Sequence, residues 1–209
     1  MSPRSYNLGQ RQANAEQTRL RIIHAARELL MAPDGYSRFS IEAVARQADV
    51  ARMTVYYQFG SKVGLLEALS DYLAANGGLE QLSTAFCRTE PLEALETYIN
   101  IFSHFWQADR MVIRRLLALT ALDPDFAQVV QARNERRLEG MRVIVGRFVE
   151  KCGQSGDESC DEVVRVLYTL LSFESFDTLA GPTRSIEEVA PVMFKLAQLA
   201  LQLGLDQAG

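Results

Sequence analysis

Residues 40–62 read SIEAVARQADVARMTVYYQFGSK, and the fold turns on this stretch. Ile41, Val44, Ala45 and Ala48 recur at i, i+3, i+4 and i+7, the spacing of one buried helix face. Ser40 is a good N-cap for that helix, because its hydroxyl can accept from a backbone N–H that the first turn leaves without a partner. Glu42 then sits favourably against the positive helix N-terminus. Asp49-Val50-Ala51 breaks the period. Asp is one of the few non-glycine residues that tolerate a left-handed backbone, so a sharp reversal is expected at Asp49. A second short helix follows from Arg52 to Phe59. Val55 and Phe59 share one face, and Arg52, Thr54, Tyr57 and Gln58 share the other. Two short helices joined so tightly form a helix-turn-helix, whose second member is the recognition helix.

The longer run VARMTVYYQFGSKVGLLEAL, residues 50–69, resembles the signature of the TetR family of bacterial transcriptional regulators. That signature is a recognition helix of the form T-hydrophobic-Tyr-aromatic-x-Phe, a short turn, then Lys opening a helix with a Leu-Leu pair. Thr54-Val55-Tyr56-Tyr57-Gln58-Phe59, Gly60-Ser61-Lys62 and Leu65-Leu66 supply each part. The chain departs from the pattern twice. Asp49 stands where the family usually has Gly, which adds some turn strain. Ala51 stands where Ser or Thr is common, which removes a hydroxyl cap from the recognition helix. The resemblance implies an all-α protein, with a three-helix DNA-binding domain and a larger helical domain for ligand and dimer contacts.

Composition agrees with a globular chain. Of its 209 residues 48% are hydrophobic, enough for a sizeable core. No run has the length of a membrane span and no apolar signal-peptide core opens the chain, so a cytoplasmic location and no membrane partner are expected. The net charge of −4 is unevenly spread. Residues 1–62 hold nine Lys/Arg against five Asp/Glu, and residues 63–209 hold thirteen against twenty-one. A basic N-terminal module on an acidic body fits a phosphate-bearing partner at one end. The cysteines, Cys87, Cys152 and Cys160, are odd in number and lack metal-ligand spacing, which argues for reduced thiols. Cys152 and Cys160 flank a Gly/Ser-rich loop, where a redox switch is conceivable.

Taken in order, residues 1–16 are polar, with Pro3, Asn7, Gly9 and Asn14, and read as a flexible arm. Arg4 and Arg11 on it offer minor-groove contacts; a solvated tail is the plainer reading. Gln17 to Met31 is the first helix, with Ile22, Ala26, Leu29 and Leu30 as its buried stripe, and Pro33-Asp34-Gly35 ends it. Tyr36 and Phe39 are expected to complete this small core, and His24 to be a partly buried polar residue. Ser61 caps a fourth, linking helix that carries Lys62 in its first turn, packs Leu65, Leu66 and Leu69, and ends at Asn76-Gly77-Gly78. Further helices are expected at Leu79–Cys87, Pro91–Ala108, Met111–Leu122, Asp125–Cys152, Asp157–Leu179 and Ile186–Leu203, nine or ten in all. The DNA-binding domain is assigned to residues 17–62 and the ligand-binding and dimerisation domain to residues 63–209.

Catalytic chemistry lacks its parts. There is no Gly-rich phosphate loop, no G-x-S-x-G elbow and no H-E-x-x-H helix, and the two histidines lie in separate modules. No enzyme activity and no cofactor or metal are expected. For DNA, the candidates are Ser40, Arg52, Met53, Thr54, Tyr56, Tyr57, Gln58 and Lys62. Lys62 at a helix start suits a phosphate. Tyr57 can donate its hydroxyl to another. Arg52, Thr54, Tyr56 and Gln58 can reach base edges, and Met53 can pack on a thymine methyl.

For a ligand, Phe102, Phe105 and Trp106 lie at i, i+3 and i+4 and should face inward together, opposite Met141, Phe173 and Phe176. An aromatic stripe at helical spacing is most often plain core; the resemblance implies a cavity between these helices for a small apolar or aromatic effector. His104, Ser172, Glu174 and Asp177 are polar groups that could orient it. Val163, Val166, Leu167, Leu170 and Leu171 form one late stripe, and Val189, Val192, Met193, Leu196, Leu199, Ala200 and Leu203 another. Pairing them with a second copy would make a four-helix bundle, as the family does. The resulting expectation is a homodimeric repressor that binds a double-stranded, pseudo-palindromic operator and is released by an effector. The competing reading is a helix-turn-helix regulator with a solid C-terminal core, controlled by a protein partner or by no ligand.

Overall fold

Asp49 does reverse the chain, at φ 51°, and the surrounding hydrogen bonds show how. The first helix of the pair (Ile41–Gln47) ends with the Val50 N–H donating to Ala45 O at 3.0 Å and the Asp49 N–H to Arg46 O at 3.2 Å. This is a Schellman closure, whose left-handed position is Asp49. Ser40 caps the other end, its Oγ accepting from Ala43 N at 3.1 Å. The second helix (Arg52–Phe59) starts at Ala51 with no side-chain cap, as the missing hydroxyl predicts.

The computed structural model describes residues 3–35, 37–151 and 158–206; among them are eleven α-helices, one 3-10 turn and no strand. In order these are α1 (Pro3–Met31), α2 (Ile41–Gln47), α3 (Arg52–Phe59), α4 (Lys62–Asn76), the 3-10 turn Leu79–Gln81, α5 (Leu82–Phe86) and α6 (Pro91–Ala108). Then come α7 (Arg110–Thr120), α8 (Pro124–Lys151), α9 (Glu158–Leu170), α10 (Phe173–Ala180) and α11 (Ile186–Asp206). The all-α expectation holds, and α6 has the bounds read from the sequence. Three elements differ, and the described residues hold eleven α-helices rather than nine or ten. The helix expected over Leu79–Cys87 is the 3-10 turn followed by the short α5. The first helix starts at Pro3, so the polar stretch expected to be an arm is helical. The helix expected over Asp157–Leu179 is two, because Ser172 stops one and caps the next: its Oγ accepts from Ser175 N at 3.3 Å.

The helices gather into two compact units, Met1–Leu73 with Met111–Val129, and Ala74–Arg110 with Val130–Gly209. In the first, α1 packs on α2 and α2 on α3. Ile22, Ala26, Leu30, Val44, Val55, Leu65, Leu66 and Leu69 are fully buried there. Each large one contributes about 1.5–3 kcal/mol relative to exposure. Phe39 is buried with them, Leu29 is half-buried, and Tyr36 lies outside the described residues. His24 is exposed, contrary to expectation, its ring 5.2 Å from that of Tyr72. Gly35 is required where it stands, since a Cβ there would lie 1.7 Å from Leu29 O. The Arg115 guanidinium on α7 closes the end of α1 by donating to the Leu30, Ala32 and Pro33 carbonyls.

In the second unit α6 lies against α5 and α11, and α11 also packs on α9 and α10. Arg110 fixes the turn from α10 to α11. Its Nε donates to Asp177 Oδ1 at 2.6 Å, its Nη1 to Arg184 O at 2.9 Å, and its Nη2 to Asp177 O and Gly181 O at 3.0 and 2.8 Å. Three carbonyls at a helix end are satisfied by one guanidinium, whose fork of donors suits the task.

Candidate nucleic-acid interface

Helix α3 is held from one side only. Val55 is its single buried residue, and Phe59 is covered by Arg19 of α1, whose guanidinium carbon lies 4.5 Å from the ring centroid. The same Arg19 donates to Gln58 O at 2.9 Å. Everything else on the helix faces outward or along the edge. Tyr57 is 89% exposed and Met53 is 71% exposed. Thr54, Tyr56 and Gln58 are half-buried. A large aromatic ring and a thioether left in water on an eight-residue helix are not there for the core.

Arg52, Tyr56, Gln58, Ser40 and Lys62 already have partners. Arg52 Nη1 lies 2.9 Å from Glu42 Oε1, and its Nη2 donates to the Tyr56 hydroxyl at 3.2 Å, with the guanidinium 5.3 Å from the Tyr56 ring. The Tyr56 hydrogen bond, then the Glu42 charge, raise the Arg52 pKa further above its ordinary value, so the guanidinium stays charged. Gln58 Nε2 donates to Ala15 O at 3.5 Å. Ser40 is half-buried and its oxygen is engaged by the cap, which leaves its hydroxyl proton free to donate. Ser61 caps α4 as expected, accepting from Gly64 N at 3.0 Å. Lys62 Nζ is 3.2 Å from Asp123 Oδ2 at the head of α8. Thus six of the candidates, Arg52 to Gln58 without Val55, share one short helix, and Ser40 and Lys62 stand at the first turns of its neighbours. Three residues on which they lean, Arg19, Glu42 and Asp123, were not foreseen. Glu42 carried a signal, an acid ten positions before Arg52 across a tight turn; Asp123, 61 residues from Lys62, carried none.

The ligand candidates fall in the second unit and do meet one another. The Trp106 ring lies 5.3 Å from Phe102, 5.1 Å from Phe176 and 6.2 Å from Phe173. Phe102, Trp106, Phe173, Phe176 and Met141 are buried. Phe105 is half-buried at the edge, 6.4 Å from Phe102, rather than facing inward with the others. Tyr98 extends the cluster at 4.6 Å from Phe102 and donates to Arg137 O at 3.3 Å. Burial pushes its phenol well above the ordinary tyrosine value, so it remains a donor. Arg137 stacks on Tyr168 at 4.1 Å and donates to Leu171 O at 2.7 Å.

Of the polar groups suggested for orienting a ligand, His104 is exposed with its Nδ1 2.7 Å from Glu187 Oε1, and Glu174 is exposed. Ser172 is spent on its cap and Asp177 on Arg110. An open cleft of about 560 Å³ lies elsewhere in the unit, lined by residues that include Phe86, Arg88, Arg147 and Lys151 and by none of the six ligand candidates. Its basic groups are engaged in part, Arg147 with the Phe86 carbonyl at 2.7 Å and Lys151 with Glu90.

Among the described residues no group of three or more His, Cys, Asp or Glu is placed to hold a metal ion, and no helix is long and apolar enough to cross a membrane. Burial, then Asp161, raises the Cys160 thiol above its usual range. Cys152, the other half of the conceivable redox pair, lies outside the described residues.

Comparison with known proteins falls on the same module. Residues 22–69, from the middle of α1 into α4, match the sequence profile of bacterial regulatory proteins of the tetR family. The HTH-type transcriptional regulator SrpR of Pseudomonas putida is 44% identical over 57 residues, a stretch that spans 27% of this chain and 26% of that protein. Likeness of fold extends much further. NalD of Pseudomonas aeruginosa, the secondary repressor of the MexAB-OprM multidrug efflux pump, superposes with a TM-score of 0.66 at 22% identity over 90% of this chain and 97% of that one. PfmR of Thermus thermophilus, a TetR family transcriptional regulator, does so with 0.65 at 24% identity over 87% and 97%. The helix-turn-helix geometry and the matched profile mark residues 22–69 as similar to the N-terminal module of bacterial regulatory proteins of the tetR family, and the all-α fold is shared with solved structures of TetR family regulators.

Proposed function

We propose that the protein is a homodimeric repressor that binds a pseudo-palindromic DNA operator in the cytoplasm and leaves it when a small apolar or aromatic effector binds. Residues 17–62 then serve DNA and residues 63–209 serve the effector and the dimer. The observation that carries the DNA half is helix α3. It presents Arg52, Met53 and Tyr57 to water, buries only Val55, and is anchored from behind by Arg19. NalD, of the same fold, is a repressor, and that precedent supports repression here.

The dimer half rests on α11. Val192, Leu196, Leu199 and Leu203 recur at i, i+4, i+7 and i+11, and all four are at least 40% exposed. Val166 of α9 is exposed too, whereas Val163, Leu167, Leu171, Val189 and Met193 of the expected stripes are buried within the chain. Helix α11 thus leaves four apolar side chains, and α9 one, that their own unit does not cover and a partner could. A two-fold dimer would set two recognition helices into successive major grooves about 34 Å apart.

Selection from a pool of randomised duplexes tests the whole reading. Enriched sites with two-fold symmetry and half-sites about one helical turn apart are expected. Enrichment of no site, or of an asymmetric one, overturns it. Leu196→Glu puts a charge into the proposed seam and should yield monomers or unfolded protein by light scattering; a fully folded dimer would refute this interface.

A second reading has its own observation. The rings of Phe102, Trp106 and Phe176 stand at contact distance, as a solid core would have them. Trp106, the only Trp, separates the two. Under the first reading an effector that releases DNA quenches or shifts its emission, and under the second it does not.

A further inference from the structure

The geometry points to Asp123 as the residue that sets how available Lys62 is to a DNA phosphate, an inference that rests on the DNA-binding reading above. Lys62 opens α4, where the ammonium and the helix N-terminus would both favour an anion. In the free protein that ammonium is already answered by Asp123 Oδ2 at 3.2 Å, with side chains 35% and 17% exposed. Asp123 is not free to follow Lys62 outward. Its Oδ1 accepts from Phe126 N at 3.3 Å and its carbonyl from Ala127 N at 2.9 Å, so it is the N-cap of α8 and its carboxylate is fixed by that helix. An approaching phosphate therefore competes with an immobile carboxylate for one Nζ, and meets a like charge behind it. Asp123 weakens every DNA complex by the same factor, because phosphate contacts carry no sequence information. Its presence lowers non-specific affinity without touching the residues that would read bases.

Asp123→Asn isolates the charge, because Asn is as good an N-cap as Asp and the head of α8 stays closed. The measurement is fluorescence anisotropy of a labelled mixed-sequence duplex, two helical turns long, titrated with wild type, Asp123→Asn, Lys62→Ala and the double variant at several salt concentrations. Asp123→Asn should bind several-fold more tightly than wild type near 0.1 M salt, with a salt slope steeper by up to about one unit per protomer engaged. In the Lys62→Ala background the same substitution should gain little. Asp123→Asn binding no better than wild type overturns the proposal. So does an equal gain with and without Lys62, which would mean that only net charge matters. Asp123→Ser, also neutral and also a good cap, repeats the comparison should Asn disturb folding. Wild type failing to bind any duplex would sink the DNA reading itself, a result distinct from either of these.

Discussion

Helix α3 buries one residue, Val55, and leaves Tyr57 and Met53 in water; helix α6 buries eight, among them Tyr98, Phe102 and Trp106. Both are rich in aromatic rings. The difference lies in what constrains each sequence. On α6 the rings of Tyr98, Phe102 and Trp106 each meet another ring from the same unit, so their identity is fixed by packing. On α3 little beyond Val55 and Phe59 answers to the interior. Its remaining residues are left to answer to whatever lies outside, which under the proposed function is DNA. Under the proposed function the same residue type carries stability in one unit and recognition in the other, and substitutions should divide accordingly.

The largest effect tests that division directly. Trp106→Ala removes a buried ring from the centre of the cluster and should cost about 3–5 kcal/mol of stability. Tyr57→Ala removes an exposed ring of similar bulk and should change stability by no more than about 0.5 kcal/mol. Urea unfolding of both variants gives the two numbers. Equal losses would mean that Tyr57 packs on something and that the contrast between the helices is false.

The next effect sharpens the contrast within the helix-turn-helix unit. Gln58→Ala should cost about 1–3 kcal/mol on a selected operator and relax preference at one base pair per half-site. Lys62→Ala should instead weaken operator and scrambled duplex alike and flatten the salt slope by about one unit per lost phosphate contact. Titrations of both variants on both duplexes at several salt concentrations separate the roles. A change of base preference in Lys62→Ala, with only a changed salt slope in Gln58→Ala, would exchange them.

What could be read from the chain alone follows the range of the forces involved. The caps at Ser40 and Ser61 and the reversal at Asp49 are set by hydrogen bonds spanning three to five residues, and the sequence displays all of them. The bounds of α6 follow from Pro91 at its start and from an apolar stripe that lasts to Trp106. The early start of α1 was hidden because residues 3–16 have no apolar stripe, so periodicity has nothing to register, while Asn7, Gly9 and Asn14 have poor helix propensity. The break at Ser172 was hidden for the opposite reason. Apolar spacing continues across it, and only the caps made by the Ser172 and Ser175 side chains betray the stop. In the candidate site, the outward residues of α3 were legible from helical phase. Their anchors were not: Arg19 reaches Gln58 across 39 residues and Asp123 reaches Lys62 across 61. A pairing at that distance depends on how helices pack, which no local pattern encodes.

The smallest effect concerns the turn on which the fold depends. Asp49 occupies a left-handed position, φ 51°, in a closure whose two hydrogen bonds are both made by backbone N–H groups. Its side chain is exposed, so nothing of the core depends on it. A left-handed backbone costs an ordinary L-residue about 1–2 kcal/mol, and Asp somewhat less because it hydrogen-bonds locally. Gly escapes that strain but gains more freedom in the unfolded chain, which offsets part of the benefit. Asp49→Gly should therefore stabilise the protein by only about 0.5 kcal/mol, and Asp49→Ala should destabilise it by about 1 kcal/mol. The two thermal midpoints should bracket the wild type. If Asp49→Ala were as stable as wild type, the reversal would not be strained, and the helix pair would owe its angle to α1 packing rather than to the turn. DNA affinity should follow neither variant, because Asp49 stands outside the face that α3 presents.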